Sequence, residues 1–300
     1  MKTNAQIEVR RCRPLLGTLV EIAAAGRSEV RLERAIDMAF KDVAKVHRLM
    51  SYYDPQSDVS HMNREAFPKS VIVHPWTWRV LVAAQQFARD SNGTFSVTIA
   101  PVLAGWRYLP RQRYRADATA TWHDIFLHKN CRVFFRRQLT VDLGGIAKGF
   151  AVDRAVEVLK RNGIKAGIVN AGGDLRVFGS ASQLVHLRQP AEPKRAAGAV
   201  RLRERAIATS GIYFARKKNR RCYVSPILNA RTGQAERDLI SVTVGAASCM
   251  TADALTKVVF ALREQAAPVL EQYSADALLL EQNGALSWMF NRTCDPSRRT

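Results

Sequence analysis

The stretch Val141-Asp142-Leu143-Gly144-Gly145-Ile146-Ala147-Lys148-Gly149-Phe150, followed by Asn170-Ala171-Gly172-Gly173-Asp174, constrains this chain more than any other part of it. Between the two glycine pairs, residues 153–168 carry apolar side chains at helical spacing. Ala155, Val156 and Leu159 share one stripe, and Gly163 marks the stop. Ile168 and Val169 then read as a short buried strand. The chain must turn on glycine, run through a helix that carries a lysine at its start, and turn on glycine again. A backbone without Cβ atoms can approach an anion closely, and a helix N-terminus offers free N–H groups and a partial positive charge. Lys148 adds a full charge at the same place. Together these parts describe a cradle for a phosphate or diphosphate.

Neither common nucleotide loop is present. The glycines lack the Gly-x-Gly-x-x-Gly order of a dinucleotide fold, and no Gly-Lys-Ser/Thr follows them. Each turn alone needs nothing beyond the tight-turn role most glycines have. Two turns around one helix, with a lysine inside the first, point to anion binding.

The bounds set by composition are broad. Three hundred residues, 47% apolar and 24% charged, suit a soluble globular chain of one large domain or two small ones. No run of about 18 apolar residues is available to span a membrane. The N-terminal segment has basic residues but no clean apolar core, because Glu21 interrupts it, so a cytoplasmic location is expected. Five widely spaced cysteines (Cys12, Cys131, Cys222, Cys249 and Cys294) form no zinc pattern and fit a reducing compartment. The six histidines show no metal-ligand spacing.

The net charge of +20 is unevenly placed, and residues 176–237 hold fourteen Lys/Arg against three Glu. Such a field favours anionic partners. The densest run, Arg216–Arg221, reads as a solvated hairpin tip between the strand-like segments 207–213 and 222–227. No aromatic residues interleave with it, as a single-strand nucleic-acid binder would require.

Along the chain, residues 7–25 read as a strand pair around Gly17. Residues 30–50 form an amphipathic helix with Leu32, Ala35, Ile36, Ala39, Val43 and Val46 on its apolar side. A short helix starts near Ser57-Asp58, and a second long one covers 76–91, stopped by Asn92-Gly93. Residues 107–138 read as a surface excursion with one or two strands. Strands follow at 200–214, 222–228 and 239–246, then a helix at 252–264 and a strand pair near 277–290. Helices and strands mix without regular alternation, which predicts an α+β fold with mixed or antiparallel sheets packed against helices.

A second constellation lies in Ser248-Cys249-Met250-Thr251-Ala252-Asp253-Ala254-Leu255-Thr256-Lys257. Asp253 and Lys257 are four residues apart, hence neighbours on one helix face. A surface ion pair worth about 0.3–0.5 kcal/mol accounts for them. So does a carboxylate that gives one oxygen to Mg²⁺ while substrate phosphates supply others.

With both constellations in place, the chain resembles the FAD:protein FMN transferase (ApbE-type) family almost end to end. Leu16-Gly17-Thr18, the segment from Met50-Ser51 to Met62-Asn63, and Gly93-Thr94-Phe95 with Thr98, Pro101 and Trp106 match its ordered blocks. Asp142–Gly149, Asn170–Asp174 and Ala208-Thr209-Ser210-Gly211 match its most specific motifs, and Ser241–Val244 with Ala252–Leu255 match the last. The resemblance implies one such domain over residues 7–290 with an FAD cleft between two lobes, and a basic tail at 291–300. It implies that FMN passes from FAD to a threonine hydroxyl of an acceptor flavoprotein, with AMP released and Mg²⁺ beside the diphosphate. By that resemblance the Ala147 carbonyl and Asp253 hold the metal. Gly144, Gly145, Lys148, Asn170, Gly172, Gly173 and Asp174 hold the phosphates and ribose side. Thr209, Ser210 and Gly211 line the flavin pocket, and Asp253 and Lys257 are the residues placed at the chemistry.

The sequence departs from the family pattern at four positions. Pro226 stands where the family has a histidine that is a candidate general base, and Asn229 stands for an aspartate. Lys257 stands for a metal-ligating threonine, and Ser96 for another aspartate. A cation at Lys257 repels a metal ion by about 4 kcal/mol per unit charge at 4 Å and an effective dielectric near 20. Thr251 or Thr256 could replace the lost ligand, or Lys257 with Lys148 could itself neutralise the diphosphate. The alternatives to an active transferase are an impaired FAD-binding or FAD-hydrolysing relative and, from charge alone, a nucleic-acid-binding protein. No helix-turn-helix, RRM or zinc pattern supports the last.

Overall fold

A computed structural model of the chain describes residues 6–112, 116–188, 196–213, 215–219, 222–236 and 239–289. Eight strands form the main sheet: β1 (Ile7–Leu15), β2 (Thr18–Gly26), β3 (Ala166–Ala171), β4 (Asp174–Phe178), β5 (Ala206–Gly211), β6 (Leu239–Ala246), β7 (Asp276–Glu281) and β8 (Leu286–Met289). Their order across the sheet is their order along the chain, and every neighbour is antiparallel. Between β2 and β3 the chain leaves the sheet to build α1 (Glu29–Met50), α2 (Asp58–Glu65), α3 (Pro75–Asp90), α4 (Ala100–Gly105) and α5 (Ala147–Arg161). A three-stranded sheet of Val71–Ile72, Arg132–Phe135 and Ile125–His128 is part of that excursion. The helices α6 (Cys249–Leu262) and α7 (Ala267–Gln272) lie between β6 and β7.

Local chemistry sets the boundaries. Ser28, Ser57 and Ser248 each cap the helix that follows, their hydroxyls accepting a backbone N–H from the first turn. The cap at Ser248 starts α6 at Cys249, a turn earlier than apolar periodicity places it. Similarly, α5 runs only to Arg161, and β3 begins at Ala166 rather than Ile168. Segment 200–214 is two strands rather than one, because Glu204 adopts φ +47° and turns the chain. Ala196–Leu202 pairs with Gln183–Arg188 in a separate hairpin, and Ala206–Gly211 enters the main sheet as β5. Segment 222–228 likewise divides into Cys222–Val224 and Leu228–Asn229. The basic run is not the tip of a hairpin between 207–213 and 222–227: Lys217–Asn219 is itself a strand paired with Cys222–Val224, and Ala206–Gly211 pairs within the main sheet, while Arg220, Arg221 and the tail at 291–300 lie outside the described residues.

The two faces of the sheet separate by strand alternation. On β4, Leu175 and Val177 join Leu187, Val200, Leu202, Ile207 and Leu278 in a small core under the 183–202 hairpin. The alternate residues meet the opposite helix layer: Asp174 pairs with Lys148, Arg176 with Asp153, and Phe178 lies under Lys160. That layer holds the main core, in which Phe40, Phe150, Phe178 and Phe260 are fully buried. Each such side chain contributes about 1.5–3 kcal/mol of burial.

Candidate functional site

The helices α5 and α6 meet at their N-terminal turns, and each is capped by a carboxylate of the other. Asp253 Oδ2, from α6, accepts the Gly149 N–H at 3.0 Å in the first turn of α5. Asp153, from α5, accepts the N–H groups of Cys249 (3.0 Å) and Met250 (2.9 Å) in the first turn of α6. No side chain caps α5 from its own N-cap residue, so Asp253 fills that role across the interface. Gly149 makes the approach possible: a Cβ there would stand 2.3 Å from the Cys249 carbonyl oxygen.

The loop before α5 is held from two sides. The Asn63 side chain pairs with both backbone groups of Val141, at 2.9 and 2.8 Å, and the Asp142 N–H donates to Val97 O at 2.8 Å. Gly172, at φ +64°, makes the turn from β3 to β4, where a Cβ would meet Thr18 Oγ1 at 2.5 Å. Thr18 belongs to the Leu16-Gly17-Thr18 block, so the first motif of the chain packs on the Asn170–Asp174 motif.

Two lysines and two buried carboxylates sit where these elements converge. Lys148 pairs with Asp174 and lies 3.6 Å from Asp253 Oδ2. Lys257 pairs with Asp253 Oδ1 and also donates to the Asp253 carbonyl oxygen at 2.8 Å. The carboxylates are 2% (Asp174) and 0% (Asp253) exposed, whereas Lys148 keeps 32% and Lys257 18% of its side chain open. The lysine side chains therefore form the accessible layer, with the carboxylates sealed beneath. Burial pulls the Lys148 ammonium down, but Asp174 and Asp253 outweigh it and hold the group above its ordinary value. Burial likewise opposes ionisation of Asp253, yet Lys148, Lys257 and the Gly149 N–H together keep it below the usual carboxylate range. Asp174 is pushed up to about 6 by burial and by Asp253, against the pull of the two lysines.

Above this layer opens a cavity of about 380 Å³. Its floor is Gly144, Gly145, Lys148 and Lys257, with Gly172 and Thr209, Ser210 and Gly211 along one side. The other walls are apolar and aromatic: Tyr53, Phe95, Leu103, Tyr108 and Ile227. Asp142 also lines it, its carboxyl pushed up to about 6 by burial against one hydrogen bond from the Gly144 N–H. The phenol of Tyr53 donates to Tyr108 O at 3.0 Å, and that of Tyr108 to Val224 O at 2.9 Å. A pocket lined by both aromatic and apolar side chains and two lysines suits a ligand that joins a planar ring to phosphate.

The structure brings most sequence-expected residues together. Gly144, Gly145, Lys148, Gly172, Thr209, Ser210, Gly211 and Lys257 line the cavity. Asp174 and Asp253 stand behind the lysines, and Ala147 is the first residue of α5. Asn170 and Gly173 close their own turn, Asn170 Oδ1 accepting the Gly173 N–H at 3.0 Å. Ser210 Oγ meets Thr256 Oγ1 at 2.7 Å, and Thr209 Oγ1 meets Thr243 Oγ1 at 2.9 Å. The role of Asp142 escaped the sequence reading although the residue stands inside the first motif. Tyr53 and Tyr108 escaped it because nothing local marks a wall assembled from segments this far apart.

Two of the four departures preserve local structure. Ser96 Oγ accepts the Thr98 N–H at 3.1 Å, a capping role that Ser and Asp share. Asn229 Oδ1 accepts the N–H groups of Arg231 and Thr232 at 3.0 and 3.3 Å, as an aspartate would in the same turn. Pro226 and Lys257 change the chemistry, and both line the cavity.

Comparison with known proteins follows the same outline. The ApbE family model matches residues 16–279. A FAD:protein FMN transferase of Klebsiella pneumoniae is 24% identical over 267 residues, covering 84% of this chain and 83% of the relative. One from Haemophilus influenzae is 29% identical over 257 residues, covering 77% and 72%. The crystal structure of the ApbE protein from Thermotoga maritima superposes with a TM-score of 0.84 at 25% identity, over 94% of this chain and 96% of that one. The flavin transferase ApbE from Vibrio cholerae has the same fold, with a TM-score of 0.78 at 24% identity, covering 95% and 97%. A match running from the first motif through to β7, on a shared architecture, places this chain in the ApbE family.

Proposed function

We propose that this protein takes FAD as donor and transfers its FMN half to a threonine hydroxyl of an acceptor flavoprotein, releasing AMP. The observation that carries the reading is the mixed lining of the cavity: aromatic and apolar side chains at Tyr53, Phe95, Tyr108 and Ile227 together with Lys148 and Lys257. The curated relatives are named FAD:protein FMN transferases, which supports FAD as donor, FMN as the group and a protein as acceptor. On this reading the isoalloxazine lies against the apolar walls and the diphosphate on the lysines. The acceptor oxygen attacks the FMN phosphorus, a P–O bond forms there, and the P–O bond to AMP breaks. Such a displacement needs charge neutralisation and alignment more than a covalent protein group.

The hydroxyl proton also needs an acceptor. With proline at position 226, Asp142 is the carboxylate on the cavity wall that no lysine or arginine neutralises among the described residues. We assign it that proton. Its value of about 6 leaves it ionised at neutral pH yet basic enough to serve.

Mg²⁺, expected from the family resemblance, meets a donor set that does not fit it. Both Asp253 oxygens are engaged, by Lys257 and by the Gly149 N–H. Thr256 is turned to Ser210 and to the Asp253 carbonyl, and Thr251 accepts the Ser248 hydroxyl. No cluster of three or more His, Cys, Asp or Glu suited to a metal occurs among the described residues. No helix among the described residues is long and apolar enough to cross a membrane.

The test is to incubate the protein with FAD and a flavin-free flavoprotein of the kind that carries threonine-linked FMN. Fluorescence that stays with the acceptor on a denaturing gel, with one AMP per FMN transferred, is the expected result. FMN and AMP both free in solution would instead identify an FAD hydrolase.

A further inference from the structure

We propose that Lys257 does the work of a divalent cation in this cavity, so that the diphosphate of a dinucleotide is held on two ammonium groups and binding needs no metal. The proposal rests on the flavin reading above for the identity of the ligand. It rests on the geometry for everything else.

Three observations carry it. First, Lys257 is fixed as a coordinated cation would be: its Nζ is held by Asp253 Oδ1 and, at 2.8 Å, by the carbonyl oxygen of the same residue. An ordinary surface pair four residues apart on a helix has both partners in water. Here the carboxylate is fully buried, while Lys257 itself lines the cavity. Second, Lys148 is fixed in the same way by Asp174 and lies 3.6 Å from Asp253, so the two lysines share one buried anionic base. A diphosphate diester would meet two ammonium groups held side by side, each already paired with a buried carboxylate. Third, the backbone opposite Lys257 is bare. A Cβ at Gly145 would lie 3.7 Å from Lys257 Cε, so a larger side chain would fill the space between the loop and the lysine.

A magnesium ion would have to displace Lys257 from Asp253 and then sit beside it. It would face the repulsion of the displaced ammonium, with no third metal-ligating side chain grouped there among the described residues to offset it. The substitution also predicts its own reversal: shortening Lys257 to threonine removes the ammonium, frees Asp253 Oδ1 and returns a hydroxyl to the site.

The experiment is calorimetric titration of the flavin-stripped protein with FAD, once in EDTA and once in excess Mg²⁺, together with titration of Mg²⁺ alone into the FAD complex. The expected result is equal FAD affinity in both media and no heat of Mg²⁺ binding for the wild type. For Lys257→Thr, FAD affinity in EDTA falls about tenfold or more, and Mg²⁺ restores it with a measurable binding heat. Lys257→Met, which keeps the packed stem and loses the charge, falls similarly in EDTA and is not restored. Wild-type binding that disappears in EDTA and returns with Mg²⁺ would overturn the proposal while leaving the flavin reading intact. No FAD binding in either medium would overturn the flavin reading, and the proposal with it.

Discussion

Asp153 and Asp253 occupy equivalent places in the molecule and have different lives. Each lies within the first two turns of its helix, each is buried, and each accepts N–H groups from the first turn of the other helix. The difference is the neighbour. Asp153 faces Arg176 of β4, at 2.7 Å, and neither residue lines the cavity over Gly144 and Gly145. Asp253 faces two lysines that both line it. The same capping geometry is a clamp in one case and a support for a charged surface in the other. Burial and hydrogen bonding do not separate the two; what lies on the far side of the counter-ion does.

That contrast can be broken by experiment, and the largest effects should come from the two carboxylates themselves. Asp153→Ala leaves Arg176 without its partner and uncovers two helix N–H groups. Urea unfolding should show a loss of about 3–5 kcal/mol, with FAD affinity unchanged in the molecules that remain folded. Asp253→Ala should lose a comparable amount without ligand and recover part of it in saturating FAD, as the diphosphate takes over the stranded ammonium groups. Equal rescue of both variants by FAD would erase the distinction.

A third carboxylate sharpens the comparison, because Asp142 caps a loop but faces no cation. Asp142→Asn should lower the transfer rate by about 10²–10⁴-fold while FAD affinity is retained. The wild-type rate should rise with pH through about 6, as the carboxyl loses its proton, and that rise should vanish in the variant. A flat wild-type profile across that range would remove Asp142 from the reaction.

Gly149→Ala tests both caps at once, since the added methyl would push the two helices apart at their closest point. A loss of about 1–3 kcal/mol is expected, with FAD affinity reduced because Asp253 and Lys257 move with α6. The smallest effect belongs to Ser96→Asp. It exchanges one good cap for another, so the unfolding midpoint should hold, while FAD affinity should fall slightly because the new carboxylate lines the cavity. A large gain in transfer rate from Ser96→Asp would show that the serine is more than a cap.

The sequence made the elements legible wherever one local signal decides. The stripe of α1, the Asn92-Gly93 stop after α3 and the hairpin around Gly17 all appear where periodicity and turn chemistry put them. It failed where two signals compete. Apolar spacing in α6 begins after Ser248, so the spacing hid a cap one turn earlier, and nothing in the residues around Glu204 announces a positive φ. In the site, the cationic floor was readable because glycine, lysine and aspartate are rare in that arrangement. The capping exchange between α5 and α6 was not, since it depends on a helix pairing that no short motif encodes. The apolar walls were hidden for the same reason, being drawn from residues 53, 95, 108 and 227.

The simple order of the main sheet has a consequence for how the molecule is made. A strand pair by itself is at best marginally stable in water, yet β2 ends at Gly26 and its next partner begins at Ala166. A chain leaving the ribosome must therefore carry the inner edge of its first hairpin unpaired while five helices are synthesised. Closing so long a loop adds little to the equilibrium cost, about 0.6 kcal/mol per doubling of length. It weighs instead on timing, for such distant pairings form slowly and leave edges open to other chains. Lys257 arrives later still, on a helix that follows β6. Catalytic competence is thus among the last things a nascent chain acquires, and a truncated product would keep the glycine loop and lose the charge that completes it.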